Sequence, residues 1–250
     1  MILVGVVFAM LLGPLGVLAF GDLDLDTHWS QSRRDSSGQA PRALEHPDAL
    51  ILVYGARTYN WRGAFGIHTW IATKRAQASG YRVHQVIGWN LYRGRSAVSS
   101  SDDEAPDFYW FNARPQILAQ VKGQRAEALI DRIEAAVAAY PYPNEYRAWP
   151  GPNSNTFTAF VARQVPELGL DLPANAIGKD YLGGSSLLAR TPSGSGWQFS
   201  VLGLAGLQIG VEEGIELNLL GLSAGIDVND ARLRLPGIGN YSPFDNKRPD

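Results

Sequence analysis

The chain has no cysteine and, among its 250 residues, only four histidines and two methionines. The missing cysteine excludes thiol nucleophiles, disulfides and thiolate metal sites together. Two of the histidines, His28 and His46, fall in a Ser-, Arg- and Pro-rich stretch with no second ligand at a metal spacing, so neither a metal nor a cofactor is expected. A basic surplus is lacking as well: 22 Lys and Arg stand against 24 Asp and Glu, the formal net charge is -2, and no Lys/Arg face recurs along the chain. Nucleic acid is therefore not an expected partner. A phosphate-binding P-loop, a dinucleotide fingerprint, a zinc-protease H-E-x-x-H and a G-x-S-x-G elbow are all absent.

What is present begins with ILVGVVFAMLLGPLGVLAF, Ile2 to Phe20, a run without a charged residue and about as long as the roughly 20 residues that cross a bilayer. Residues 1–20 are thus expected to be a transmembrane anchor or a cleaved signal segment, since Ala19-Phe20-Gly21 is a small-x-small cleavage pattern. Either way, the protein would contact the membrane through this segment. The rest would work outside the cytoplasm, anchored in the periplasm or released there. Residues 21–48 read as a linker.

A folded domain is expected over 49–190. ALILVY (49–54) suits a buried strand, and HTWIATKR and YRVHQVIGWNLY read as an antiparallel hairpin. PDFYWFNA reads as a further strand. From Pro115 the pattern turns helical, through ILAQV and, after a break at Gly123, AEALIDRIEAAVAAY; NTFTAFVARQV gives a second, short helix. Residues 191–235 read as a Gly-rich three-stranded meander with apolar residues on both faces, either packed on the domain or resting on lipid or a partner. A tail follows over 236–250. The fold class is α+β.

The stretch WPGPNSNTFTAF, Trp149 to Phe160, places Ser154 at the start of a helix, where free N–H groups and the positive dipole end favour an anion. That location suits a thiol near pKa 8.5 and serves a hydroxyl poorly unless a histidine accepts its proton. The candidates for chemistry are Ser154, His68 and His84. Ser154 also reads as a plain N-cap for a helix beginning near Asn155. Asn153 and Asn155 read as turn and cap residues or as donors to a bound carbonyl, and Tyr59 and Trp61 as core or as ligand-stacking aromatics.

HTWIATKR and YRVHQV, followed about seventy residues later by NSNTFTAFV, resemble the circularly permuted papain-like proteins: the lecithin:retinol acyltransferase group, the PPPDE peptidases and NlpC-type cell-wall hydrolases. The Y-P-Y…W-P-G-P-N-S-N-T-F signature also resembles an uncharacterised bacterial family, domain of unknown function 3750. The first resemblance implies a permuted papain-like domain with His68 as base, His84 orienting it, and Ser154 where those families carry cysteine. The expected function is a bacterial envelope protein that binds peptidoglycan- or lipid-derived ligands through a degenerate site. One alternative is a Ser-His hydrolase or acyltransferase acting on amides or esters, with Asn153, Asn155, Tyr59 and Trp61 contacting substrate. Another is a membrane-surface protein that works through the C-terminal meander.

Overall fold

The apolar run beginning at Ala49 forms strand β1 (Leu50–Arg57), whose side chains are buried on both faces, as a continuous apolar strand requires. Strand β2 (Ile67–Lys74) pairs with it antiparallel on one side, and β3 (Arg82–Val86) and β4 (Val98–Ser101) extend the sheet. Strand β5 (Gln116–Lys122) closes the other side, giving the order β4-β3-β2-β1-β5. A computed structural model describes residues 2–184 and 186–242 of the chain.

Helices α2 (Gly123–Ala138) and α3 (Ser154–Gln164) cover one face of this sheet. There Ile51, Val53 and Ile71 meet Ile130, Ile133, Phe157 and Val161. The opposite face is covered without a helix: Leu52, Tyr54 and Trp70 pack against Phe108 and Trp110 from the segment between β4 and β5. Each strand thus sends alternate side chains into two different cores.

Two local expectations change. ILAQV is strand β5 and not the first turns of a helix, because β1 offers an unpaired edge that Gln116 to Lys122 can satisfy. Helix α2 begins only at Gly123, whose φ of 66° turns the chain out of the strand. PDFYWFNA forms no regular strand; its pairings are single bridges, Ser36 with Phe108 and Trp110 with Ala113. The segment expected as a linker is tied down here too. The Asp107 carboxylate accepts from the hydroxyls of Ser36 and Ser37 and from the backbone N–H of Gln39 and Ala40.

Residues 188–241 form a second antiparallel sheet of seven strands in sequential order. They are β6 (Leu188–Arg190), β7 (Trp197–Val201), β8 (Ala205–Gly210), β9 (Gly214–Leu219), β10 (Leu222–Asp227), β11 (Arg232–Leu235) and β12 (Gly239–Tyr241). The expected three-stranded meander is thus seven strands, and β12 lies within the expected tail. The remainder of that tail, 243–250, lies outside the described residues. The fold is α+β, two antiparallel sheets with a few helices.

The N-terminal apolar run is helix α1 (Ile2–Phe20). Met10, Pro14 and Val17, spaced along one side, are buried, and Gly13 approaches the Pro236 carbonyl so closely that a Cβ has no room there. Phe8, Leu12, Leu15 and Leu18 remain exposed. Among the described residues no helix is long and apolar enough to cross a membrane, so the expected transmembrane anchor has no support in the structure.

Candidate functional site

Helix α3 starts at Ser154, but its cap is the residue before. Asn153 Oδ1 accepts the N–H of Asn155 at 2.9 Å and of Thr156 at 3.1 Å, and Thr156 Oγ1 accepts the Asn153 N–H in return. This reciprocal pair satisfies the first free donors of the helix, so the reading of Ser154 as the cap is corrected to Asn153. The rest of the motif is turned onto the protein's own backbone. Asn153 Nδ2 donates to Ala148 O and Ile177 O, Asn155 Nδ2 to Ile67 O and Ile177 O, and Thr156 Oγ1 to Gly178 O. Gly178, at φ 97°, lies against the Asn153 amide where any side chain would collide. The motif thereby pins the turn before α3 and the 175–178 loop to the end of β2.

The two histidines stand on different faces of the sheet. Thr69 in β2 donates to Asn155 Oδ1 on α3, so its face is the helix face, whereas His68 points the other way with Trp70. His68 stacks on Trp110, ring centroids 3.6 Å apart, and lies at 2.9 Å from Gln85 Oε1. Gln85 Nε2 donates to Glu104 at 2.7 Å, which fixes its oxygen toward the imidazole, so His68 donates from Nε2. Burial lowers the His68 pKa to about 4 and raises that of the Glu104 carboxyl. His84 pairs across the strands with Ile71 and so shares the helix face with Ser154. Its Nδ1 meets Ser100 Oγ at 2.8 Å, its Nε2 lies 3.5 Å from Thr73 Oγ1, and burial takes its pKa to about 4 as well. Ser154 is buried, and neither histidine reaches its hydroxyl. The structure therefore brings the three members of the expected triad to three separate places.

Tyr59 precedes, and Trp61 lies within, the short helical turn Asn60–Ala64 after β1. Tyr59 donates to Thr27 O at 2.9 Å and packs on Phe111; Trp61 is half exposed, edge-on to Phe65. Neither lines the main cleft, although Asn60 between them does. That cleft, about 980 Å³, runs between the β5 edge of the first sheet and the end of the second. Asp24, Asn60, Asn112, Asp171 and Asn240 supply polar groups to it, and Tyr109 and Phe111 supply aromatic ones. Burial lifts the Asp171 carboxyl to about 6 against the opposing pull of Arg234.

A family model described as "Protein of unknown function (DUF3750)" matches residues 48–181. The chain belongs to this family. No curated protein and no solved structure matches it. The DUF3750 region takes in the first sheet, both of its helices and the whole NSNT staple. It ends at the loop whose Lys179 and Asp180 hold the second sheet in place.

Beyond the DUF3750 region, the second sheet does not carry apolar residues on both faces. Its strands alternate strictly, with the polar side chains inward. Gln198, Gln208, Glu216 and Arg234 follow one another across β7 to β11, with Gly225 of β10 between the last two. Lys179 Nζ pairs with Glu216 at 2.6 Å, Arg234 with Asp171 at 2.5 Å and with Glu216 at 3.3 Å, with Lys179, Glu216 and Arg234 buried and Asp171 at the cleft's edge. Asp180 accepts from Gln198 Nε2 and Asn218 Nδ2, and Arg163 of α3 donates to Gln198 Oε1. Buried charges need such partners on every side. Sequence reasoning missed this layer, although W-Q-F-S-V and I-E-L-N-L display the period of two that signals it.

Proposed function

We propose that this DUF3750 protein acts by binding and not by Ser-His catalysis, with the cleft between its two sheets as the ligand site. The observation that carries this reading is the placement of His68 and Ser154 on opposite faces of β2. A general base must come within hydrogen-bond reach of the proton it removes, directly or through one water, and the sheet itself stands between the two. The amides that would polarise a substrate carbonyl are bound to backbone carbonyls instead. On this reading the permuted papain-like resemblance concerns the scaffold: a strand hairpin followed by a helix whose first residue is held in a fixed place. The ligand suited to the cleft is a hydroxyl- and amide-rich one such as a peptidoglycan fragment, since amides, carboxylates and two aromatic rings line it. An envelope location follows from that ligand.

The test combines a serine-directed phosphonate probe with thermal shift. Intact mass should show no adduct on the wild type, and soluble peptidoglycan fragments should raise Tm for wild type but not for Asn112→Leu. An adduct lost in both Ser154→Ala and His68→Ala would overturn the reading in favour of the hydrolase.

A further inference from the structure

The outward face of the second sheet is built the wrong way round for water. Trp197, Ile209, Ile215, Ile226, Leu233 and Tyr241 lie directly opposite one another across six consecutive strands. At about 4.8 Å per strand this ladder runs roughly 24 Å. Beside it lies a second, Leu188, Phe199, Leu207 and Leu217 on β6 to β9. All ten residues are 41–57 % exposed. In projection the two ladders and their neighbours cover roughly 400–500 Å², the size of the largest apolar patch on an ordinary monomer. Scattered exposed leucines need no explanation, but continuous ladders laid over a layer of buried Glu, Lys and Arg do. Water is the wrong solvent for the outer face, while the buried charges of the inner face, Lys179, Glu216 and Arg234, are paired with one another.

We propose that this face docks on the surface of a lipid bilayer. Three observations choose lipid over other cover. First, α1 is held to the same body through β10 and the Pro236-Gly237 turn, and it adds Phe8, Leu12 and Leu15 as further exposed apolar side chains. A second copy stacked sheet on sheet would leave those uncovered, whereas a hydrocarbon phase needs no matching shape. Second, the ladder is closed at both ends by aromatic residues with polar atoms, Trp197 and Tyr241, and Arg190 lies over the Trp197 ring at 4.2 Å. Tryptophan, tyrosine and arginine in that position suit the headgroup boundary. Third, among the described residues β6 and β12 end the sheet with no strand paired beyond them. Unpaired strand edges are not tolerated inside hydrocarbon, so the sheet lies on the membrane with only its side chains immersed. This inference does not depend on the cleft and stands whether or not a ligand occupies it.

The experiment is flotation of the full chain with phosphatidylethanolamine/phosphatidylglycerol vesicles and, separately, phosphatidylcholine vesicles. It is paired with quenching of tryptophan by brominated lipid, comparing wild type with Trp197→Phe. Wild type should float. The pair Leu207→Thr and Leu217→Thr, which keeps β-forming side chains, should lower partitioning roughly tenfold or more. Quenching should fall in Trp197→Phe. Unchanged near-ultraviolet circular dichroism in the pair shows that it folds, and Trp197 quenching reports the same face without altering its packing. Wild type that stays unbound, or a pair that floats as well as wild type with Trp197 unquenched, overturns the proposal. So does a non-floating dimer in sedimentation that Leu207→Thr and Leu217→Thr dissociate, which would assign the face to a second copy.

Discussion

Asn153, and not the serine beside it, should be the residue on which the family motif stands. Replacing Asn153 by Ala removes the acceptor of two buried N–H groups at the start of α3, a cap worth about 1–2 kcal/mol when it is buried. It also removes two donated bonds, to Ile177 O and Ala148 O, at about 0.5–1.5 kcal/mol each. The Ala148 bond belongs at the low end because that residue is exposed, and Ile177 O keeps Asn155 as a donor. The sum is about 2–4 kcal/mol, or roughly 4–16 °C in Tm for a chain of this size. Asn153→Asp keeps the acceptor and loses the donors, so it should fall between. Ser154→Ala removes a hydroxyl that neither histidine contacts and should cost less than about 1 kcal/mol. Urea unfolding followed by circular dichroism measures all three. If Ser154→Ala costs more than Asn153→Ala, the motif is not a backbone staple and the reasoning fails.

Three further outcomes follow from the buried groups. The His68 pKa, lowered by burial to about 4, means that the unfolded chain takes up a proton below about pH 6.5 that the folded chain refuses. Stability should therefore fall as pH drops from 6.5 to 4, by about 3 kcal/mol from this residue. Asp171, raised to about 6, acts in the opposite sense. The quantity to measure is therefore the difference between wild type and His68→Phe at pH 7 and pH 4, and parallel curves would refute the assignment. Arg234→Met takes the cation from Asp171 and one of two from Glu216, which keeps Lys179, and should cost about 3–5 kcal/mol, partly restored by adding Asp171→Asn, as read by urea midpoints. Gly178→Ala forces a side chain against the Asn153 amide at a left-handed φ and should lower Tm about as far as Asn153→Ala does, with little further loss when the two are combined.

Much of the first sheet was legible because its signals are local. ALILVY is apolar on both faces and lies between two cores, HTWIATKR and YRVHQV alternate and pair, and the spacing of Leu129, Ile130, Ile133 and Val137 gave α2. ILAQV misled because five apolar or helix-tolerant residues fit a helix as well as a strand, and only the free edge of β1 decides between them. The separation of His68 from Ser154 turns on parity. Residues 68 and 69 face opposite cores, and which of them faces α3 is set by hydrogen bonds to residues 85 positions or more away. The second sheet was misread for a related reason. Its alternation is visible in the residues, but which side turns inward is chosen by Asp171, Lys179 and Asp180, which lie outside its strands.

That choice also bears on the order of assembly. Sequential hairpins make the second sheet quick to form locally, since each strand pairs with the next. Left to hydrophobic collapse alone, however, such a sheet would bury Trp197, Ile209 and Ile215 and turn Glu216 and Arg234 to the solvent. It acquires the opposite orientation only against a surface that already displays Arg163, Lys179 and Asp180 in fixed positions. The first sheet with α3 and its loop therefore serves as the template on which the second one is laid. A chain emerging from the N-terminus completes that template before the sheet needs it.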